Sequence, residues 1–415
     1  MAAPEAAKTD NPGNSRLRWL MLALVFFLYA SFGLTMGTIP PLVGPILTDL
    51  NLSYSQMGMV LGAWQLVYIG TAYPLGTMVD RLGVRRSLGI GILVILLSLV
   101  FRGLAVDFYT LLLAVALFGV GGPIISIGAP KVVSLWFEGN ERGVAVGIYN
   151  VGPLLGMVFA FATASSLVIP LTGSWRGISL IYGAMVLLAA VAWWLFAREA
   201  PPPTADGDQR GSTAAMSLGE AFHTLLRLRN VQLLLVLAVG SFMLNHGLNN
   251  WLPTLLQESG MTLSQAGFWT AIGMASGALG LLVIPGLARH GYRTLAIGLL
   301  LALGAGTTVG LALLHGPGLI GVLLLSNVAR LSMMPVLILI LLETPGVGAP
   351  RIGAASGLFF AAAEVGGFSG PLLLGLLRDA TGSLVSGVLL LAVVSASMVL
   401  MTPLIHERKP KPLRA

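Results

Sequence analysis

Apolar runs of about twenty residues or more recur along this whole sequence, and that recurrence limits the available folds more than any other feature. Twelve runs are evident, near 17–40, 54–77, 86–105, 109–135, 142–167, 175–197, 230–256, 263–287, 294–314, 318–342, 352–376 and 382–405. Each is long enough for a helix to cross a hydrocarbon core about 30 Å thick. Inside that core every backbone amide needs an internal partner, so only helices and closed barrels can span it. These runs are helical in period, and too long and too uniformly apolar for barrel strands. Composition agrees, with 56% of residues hydrophobic and 9% charged, where soluble domains average about 25% charged. The sequence therefore predicts an all-α integral membrane protein of twelve transmembrane helices.

The basic residues set an orientation. Of the 23 Lys and Arg, Arg102, Arg176 and Arg378 fall on one side of the membrane, and Arg330 and Lys131 fall within spans. The rest collect on the other side. They lie in the N-terminal tail (Lys8, Arg16, Arg18), in alternate loops (such as Arg81, Arg85, Arg86, Arg227, Arg229, Arg289 and Arg293) and in the C-terminal tail (Arg408, Lys409, Lys411, Arg414). The positive-inside rule makes that side cytoplasmic and places both tails there, as expected of a multi-pass inner-membrane protein. The net charge of +7 is mostly a topology signal. Scattered over short loops, it forms no nucleic-acid surface. Zero cysteines exclude disulfides and thiolate metal sites. With no Gly-x-x-x-x-Gly-Lys loop and no metal-ligand cluster, neither an enzyme, a cofactor nor ATP drive is expected.

The longest polar interruption is AREAPPPTADGDQRGSTAAMSLGEAFHTLLRLRN, residues 197–230. Its Pro, Gly and charge content marks a linker. It divides the chain into a six-helix bundle at 1–196, a cytoplasmic linker at 197–229 and a second six-helix bundle at 230–415. The halves echo each other in order. SFGLTMG (31–37) matches SFMLNHG (241–247), SYSQMG (53–58) matches TLSQAG (262–267), and DRLGVRRSLGIG (80–91) matches ARHGYRTLAIG (288–298). An even span count per half makes this a parallel repeat about an axis along the membrane normal. Repeats of that kind build alternating-access carriers with a midplane site between the halves.

GTMVDRLGVRR, residues 76–86, joins spans two and three on the tail side. Gly76 allows close helix approach and Gly83 a tight turn, while Asp80, Arg81, Arg85 and Arg86 supply charge at helix ends. This stretch closely resembles the signature loop of the major facilitator superfamily, G-x-x-x-D-R-x-G-x-R-R. WFEGNERGVAVGIYNVGPLLG (136–156) resembles the same family's fourth-loop and fifth-helix pattern. Nearly the whole chain shares the resemblance, and its general pattern is similar to bacterial cyanate, nitroimidazole and small-anion carriers. The resemblance implies a monomeric transporter, with Asp80 and Arg142 in a charge network that latches the cytoplasmic side. In the second half Ala288 stands where Asp80 does, so that copy reads as degenerate. LLLAVALFGVGG in span four lacks the arginine of many proton-coupled members. The antiporter motif G-x-x-x-G-P-x-x-G-G is partial, with Gly152, Pro153 and Gly156 but Ile148 at its start.

Helices one, four, seven and ten line the cavity in proteins of this resemblance. Span ten carries Asn327 and Arg330, three apart and on one face. A charge at midplane costs about 2.5–3.5 kcal/mol on insertion scales. Span eleven carries Glu364, a carboxylate at similar depth. Two readings stand: a structural Arg330–Glu364 pair, or an anion site at Arg330 with Glu364 balancing charge or taking a proton. Span seven adds His246, Asn249 and Asn250 at i, i+3 and i+4. Lys131, near the tail-side end of span four, either snorkels to the interface or lines the inner end of the pathway. Tyr29, Gln65, Tyr68, Tyr149, Asn150 and Trp269 are further lining candidates. The sum of deep charge favours an anionic solute, bound without nucleic acid or partner protein in a lipid setting, by rocker-switch motion. The alternative, carried by the partial Gly-Pro motif, is a proton-coupled exporter of hydrophobic compounds.

Overall fold

A computed structural model describes residues 12–199 and 218–407. Lys8, Arg408, Lys409, Lys411, Arg414 and the centre of the linker lie outside the described residues. Among the described residues twelve long helices appear: α1 Pro12–Met36, α2 Tyr54–Leu82, α3 Val84–Gly103, α4 Phe108–Trp136, α5 Gly139–Thr163, α6 Trp175–Phe196, α7 Arg229–Glu258, α8 Leu263–Leu287, α9 Arg293–Leu313, α10 Gly316–Glu343, α11 Gly348–Thr381 and α12 Leu384–Val399. Eleven candidate spans among the described residues are long and apolar enough to cross a bilayer. The one outside that set, α2, is long enough at 29 residues. Gln65, Tyr68 and Tyr54 dilute its apolar character, and it packs between α4 and α11.

Local chemistry explains the helix starts. Ser53 and Gln56 form a capping box that opens α2, and Thr262 and Gln265 form another that opens α8. The repeated SxxQ and TxxQ patterns are thus the same device at equivalent corners. Asp107 and Thr110 open α4 in the same way. Hydrogen bonds from Thr110 hold the Asp107 carboxyl below its usual range.

Packing repeats as well. In the first half α1 lies on α5, α2 on α4, and α3 on both α4 and α6. The second half repeats the scheme, with α7 on α11, α8 on α10, and α9 on α10 and α12. Small residues bring the paired helices together. A methyl group at Gly33 or Gly156 would collide with the carbonyl of Pro153 or Ala30, and one at Gly366 or Gly370 with that of Val239 or Met243. Gly152 also lies close to Phe26, so the partial Gly-Pro motif serves as the α1–α5 contact.

The two bundles meet through α2 on α11 and α5 on α8. These contacts lie toward the end of the molecule opposite the tails. There Gly58 and Gly62 abut Pro371 and Phe368, and Gly267 abuts Phe161. Asp379 of α11 accepts hydrogen bonds from the backbone N–H of Tyr54 (3.0 Å) and Ser55 (2.8 Å) and from the Ser55 hydroxyl. Arg378 sits 4.5 Å over the Tyr54 ring and is held by Glu258 at 2.8 Å. Toward the tail end the same helices present open space: nothing stands within 4 Å of an added Cβ at Gly70, Gly143, Gly147, Gly286, Gly353 or Gly357. The bundles are closed at the far end and parted at the tail end.

Candidate substrate site

Arg330 sits inside α10 with 2% of its surface exposed. Its guanidinium is held entirely by neutral acceptors. Nε donates to the Ser326 hydroxyl at 3.3 Å and Nη2 to Asn327 Oδ1 at 2.9 Å. Nη1 donates to the Asn245 carbonyl and to its Oδ1, both at 3.2 Å, and to Asn249 Oδ1 at 3.0 Å. Asn249 Nδ2 donates in turn to Asn245 Oδ1 at 3.2 Å, which locks the two amides together. Five hydrogen bonds orient the cation and none neutralises it. Among the described residues no carboxylate lies within ion-pair distance of Arg330.

The structural pair with Glu364 is therefore not formed. Glu364 is 6% exposed, and its Oε2 has no hydrogen-bond partner. It faces a different group. A Cβ placed at Gly367 would stand 2.8 Å from Glu364 Oε2, 3.2 Å from Gln65 Cγ and 3.5 Å from His246 Cδ2. Gln65 Nε2 lies 3.1 Å from His246 Nδ1. That contact crosses from the first bundle to the second. Trp64 and Phe242 close over the imidazole, with ring centroids at 6.0 and 5.0 Å. Gln65 is fully buried, and its Oε1, like Glu364 Oε2, is unpartnered.

The asparagine cluster on α7 divides, contrary to the single face expected for His246, Asn249 and Asn250. Asn245 and Asn249, four apart, turn to Arg330. His246 turns to α2 and α11, and Asn250 bonds back to the His246 carbonyl at 2.8 Å. Asn245 and Ser326 are thus site residues outside the expected set. Their signal was spacing: Ser326 lies four residues before Arg330, and Asn245 completes an i, i+4 pair with Asn249.

Other expected residues scatter. Tyr68 bonds Ser126 at 3.1 Å, and Tyr29 packs on Tyr149 with centroids 5.8 Å apart. Asn150 is exposed and donates to the carbonyl of Val146, so it contributes nothing to the cluster here. Trp269 packs beside Phe268. Lys131 is drawn to the tail-end loop, where its Nζ meets Asp80 Oδ1 at 2.7 Å. That contact replaces the expected Asp80–Arg142 network, because Arg142 is spent on the carbonyls of Phe137 and Ser134. Gly76 makes no close approach, since an added Cβ would meet only Ile127 at 3.8 Å. Gly83 does need to be glycine, with φ at 78°. Arg85 donates to the Trp194 carbonyl, while Arg81 and Arg86 are exposed.

The second copy of this loop is not degenerate in charge. Glu343, at the end of α10, takes the acidic role and pairs with His290 (2.8 Å) and with Arg293. In the first half the loop supplies the carboxylate and α4 the cation; in the second half Arg293, where the loop enters α9, supplies the cation and α10 the carboxylate. Arg102, counted from sequence among the far-side charges, is 2% exposed. It donates to the Thr35 carbonyl at 2.8 Å and lies 5.6 Å over the Phe118 ring. Among the described residues no three His, Asp or Glu gather as a metal site.

Residues 25–371 match the model of the Major Facilitator Superfamily. The chain belongs to the major facilitator superfamily. Family membership makes it a multi-pass membrane transporter rather than an enzyme. The chain is 26% identical over 360 residues to the hexuronate transporter of Bacillus subtilis (strain 168), covering 83% of this chain and 84% of that one. To the hexuronate transporter of Escherichia coli (strain K12) it is 26% identical over 329 residues, covering 74% and 73%. Among solved structures it superimposes with a TM-score of 0.75 on a bacterial homologue of the human lysosomal transporter Spinster, in an inward-facing and unoccupied conformation. Identity there is 19%, covering 94% of this chain and 95% of that one. That likeness establishes the two-bundle, twelve-helix fold.

Proposed function

We propose that this transporter carries a small organic anion, of the sugar-acid class, with its carboxylate on Arg330. The carrying observation is a buried guanidinium that is oriented by amides and paired with no carboxylate. A buried cation without a counter-ion is costly, so the site gains most from a ligand that supplies one. The amide oxygens of Asn245 and Asn249 hold the guanidinium in place and stay on Nη1 when the anion arrives. Nη2, which donates to Asn327, keeps a second N–H for the carboxylate in a charge-assisted hydrogen bond. Tyr68, half-buried on α2, offers polar and aromatic surface to a hydroxylated carbon chain. The hexuronate transporters among its relatives support this substrate class.

The cycle proposed is rocking of a bundle at 1–196 against one at 230–415, joined by the linker at 197–229, in a monomer of the bacterial inner membrane. With both tails cytoplasmic, the conformation described is open to the cytoplasm. A thermal-shift screen on purified protein tests the substrate class. Hexuronates and aldonates should raise the unfolding temperature, since a ligand at a hundred times its Kd adds about 2.7 kcal/mol. Matched neutral hexoses should not. Stabilisation by the neutral sugars, or by no acid at all, would overturn the reading.

A further inference from the structure

We propose that Gln65, His246 and Glu364 form a coupling-cation site, and that the cation is a proton held on Glu364 Oε2. The inference rests on the anion-carrier reading above and adds to it the driving ion and its stoichiometry. Its basis is hydrogen-bond accounting. Buried polar atoms without partners are rare in folded proteins, yet Glu364 Oε2 and Gln65 Oε1 are both buried and both orphaned. Both side chains converge on the space beside Gly367. Two acceptors cannot satisfy each other, but a proton on Oε2 makes one of them a donor. Gln65 Nε2 is committed to His246 Nδ1, which fixes the amide with its oxygen free for that donor. The imidazole, accepting at Nδ1, is then neutral with its proton on Nε2.

The surroundings select a proton over a metal cation. A sodium ion takes several oxygen ligands, and this seam offers one carboxylate and one amide oxygen. The titratable groups facing Glu364 are Tyr68 on α2 and His246 on α7. Arg330 on α10 is engaged by five neutral acceptors, and α12 carries no titratable side chain. Glu220 and His223, on the short helix Leu218–Leu226 that also packs against α11, lie at the tail end.

Charge bookkeeping then gives the coupling rule. The open form described holds its proton on Oε2 and awaits the anion. The carrier that rocks empty holds Arg330 positive and Glu364 negative, and the carrier that rocks loaded holds Arg330 with its anion and Glu364 protonated. Both are neutral. Each half-loaded form leaves one buried charge unbalanced, which makes rocking costly. One proton therefore moves with each monoanion, in the same direction and without net charge.

Two measurements test this. Infrared spectra of the purified protein near neutral pH should contain the C=O stretch of a protonated carboxylic acid. The band should vanish in Glu364→Gln and shift in Gln65→Leu, which removes its hydrogen-bond acceptor. In proteoliposomes, an inside-alkaline gradient of one pH unit should drive about tenfold accumulation of a radiolabelled hexuronate, with no response to an imposed membrane potential. Glu364→Gln should lose the response to the gradient. A missing band, gradient-driven uptake that survives Glu364→Gln, or uptake driven by sodium instead would overturn the proton site. If the wild type transports no hexuronate while the band behaves as described, the substrate class fails and the proton site stands.

Discussion

At the scale of single residues, the site separates amides that serve Arg330 from amides that serve their own helix. Asn245 meets the guanidinium twice, through its carbonyl and its Oδ1. Asn250 returns to the carbonyl four residues back. Replacing Asn245 with Leu should therefore weaken sugar-acid binding by at least about tenfold, the effect of losing a hydrogen bond to a charged group worth about 1.5–3 kcal/mol. Asn250→Ala should bind like the wild type. Isothermal titration of both variants checks the contrast, and equal losses would contradict the assignment. Arg330 and Glu364 are visible in the sequence because a charge in an apolar span has few explanations. Their relation is not visible. Similar depth on adjacent helices makes a pair geometrically open, but side-chain direction is set by which neighbour each helix face meets. Here α10 turns Arg330 toward α7, while α11 turns Glu364 toward α2.

At the scale of elements, the helix pairs α1–α5 and α7–α11 depend on glycines that admit a carbonyl where a side chain would stand. Gly370→Leu should cost more than the 1–3 kcal/mol typical of overpacking, because backbone is what it strikes. The check is loss of a monodisperse peak after detergent extraction. The last described residue, Glu407, holds the start of α9. It accepts from the backbone N–H of Gly291 and Arg293 on Oε1, and from the N–H and hydroxyl of Thr294 on Oε2. Burial raises its pKa, but these hydrogen bonds outweigh burial and leave it below the usual glutamate value. The sign follows: a depressed folded pKa adds stability above the unfolded value, and that stability is lost as pH falls through the folded one. Glu407→Gln should lower stability at neutral pH by about 1 kcal/mol, as for a lost N-cap. The difference should vanish in acid, as unfolding-temperature curves from neutral to acidic pH would record. From sequence, SxxQ and TxxQ marked the starts of α2 and α8. Glu407 gave no such signal, since its partners lie more than a hundred residues away.

At the scale of the whole molecule, the two bundles are tied at the far end and parted at the tail end. Asp379 on the first turn of α2 is the most hydrogen-bonded of those ties. Asp379→Ala should shift the population toward opening at the far end, by about tenfold if the tie contributes about 1.4 kcal/mol. Because the chain has no native cysteine, spin labels on introduced pairs across α2 and α11 can measure that shift directly. The two-bundle, twelve-helix architecture was largely legible in advance, since span lengths follow from the bilayer as solvent and the internal repeat shows in the matched segments of the two halves. The conformation was not legible, because carriers that alternate must encode two packings of the same helices with nearly equal energy. The charge swap between the two tail-end loops was hidden for a related reason: Ala288 looks like a loss until Glu343 is seen to arrive from α10. The central proposal is that Arg330 holds the transported anion. Counterflow of a radiolabelled hexuronate in proteoliposomes, compared among wild type, Arg330→Lys and Arg330→Gln, tests it most directly. The account predicts exchange in the wild type, partial exchange in the lysine variant, and a loss of roughly 10²-fold or more with glutamine, as when one partner of a buried charge pair is removed. Wild-type exchange by a folded, membrane-inserted glutamine variant would contradict it.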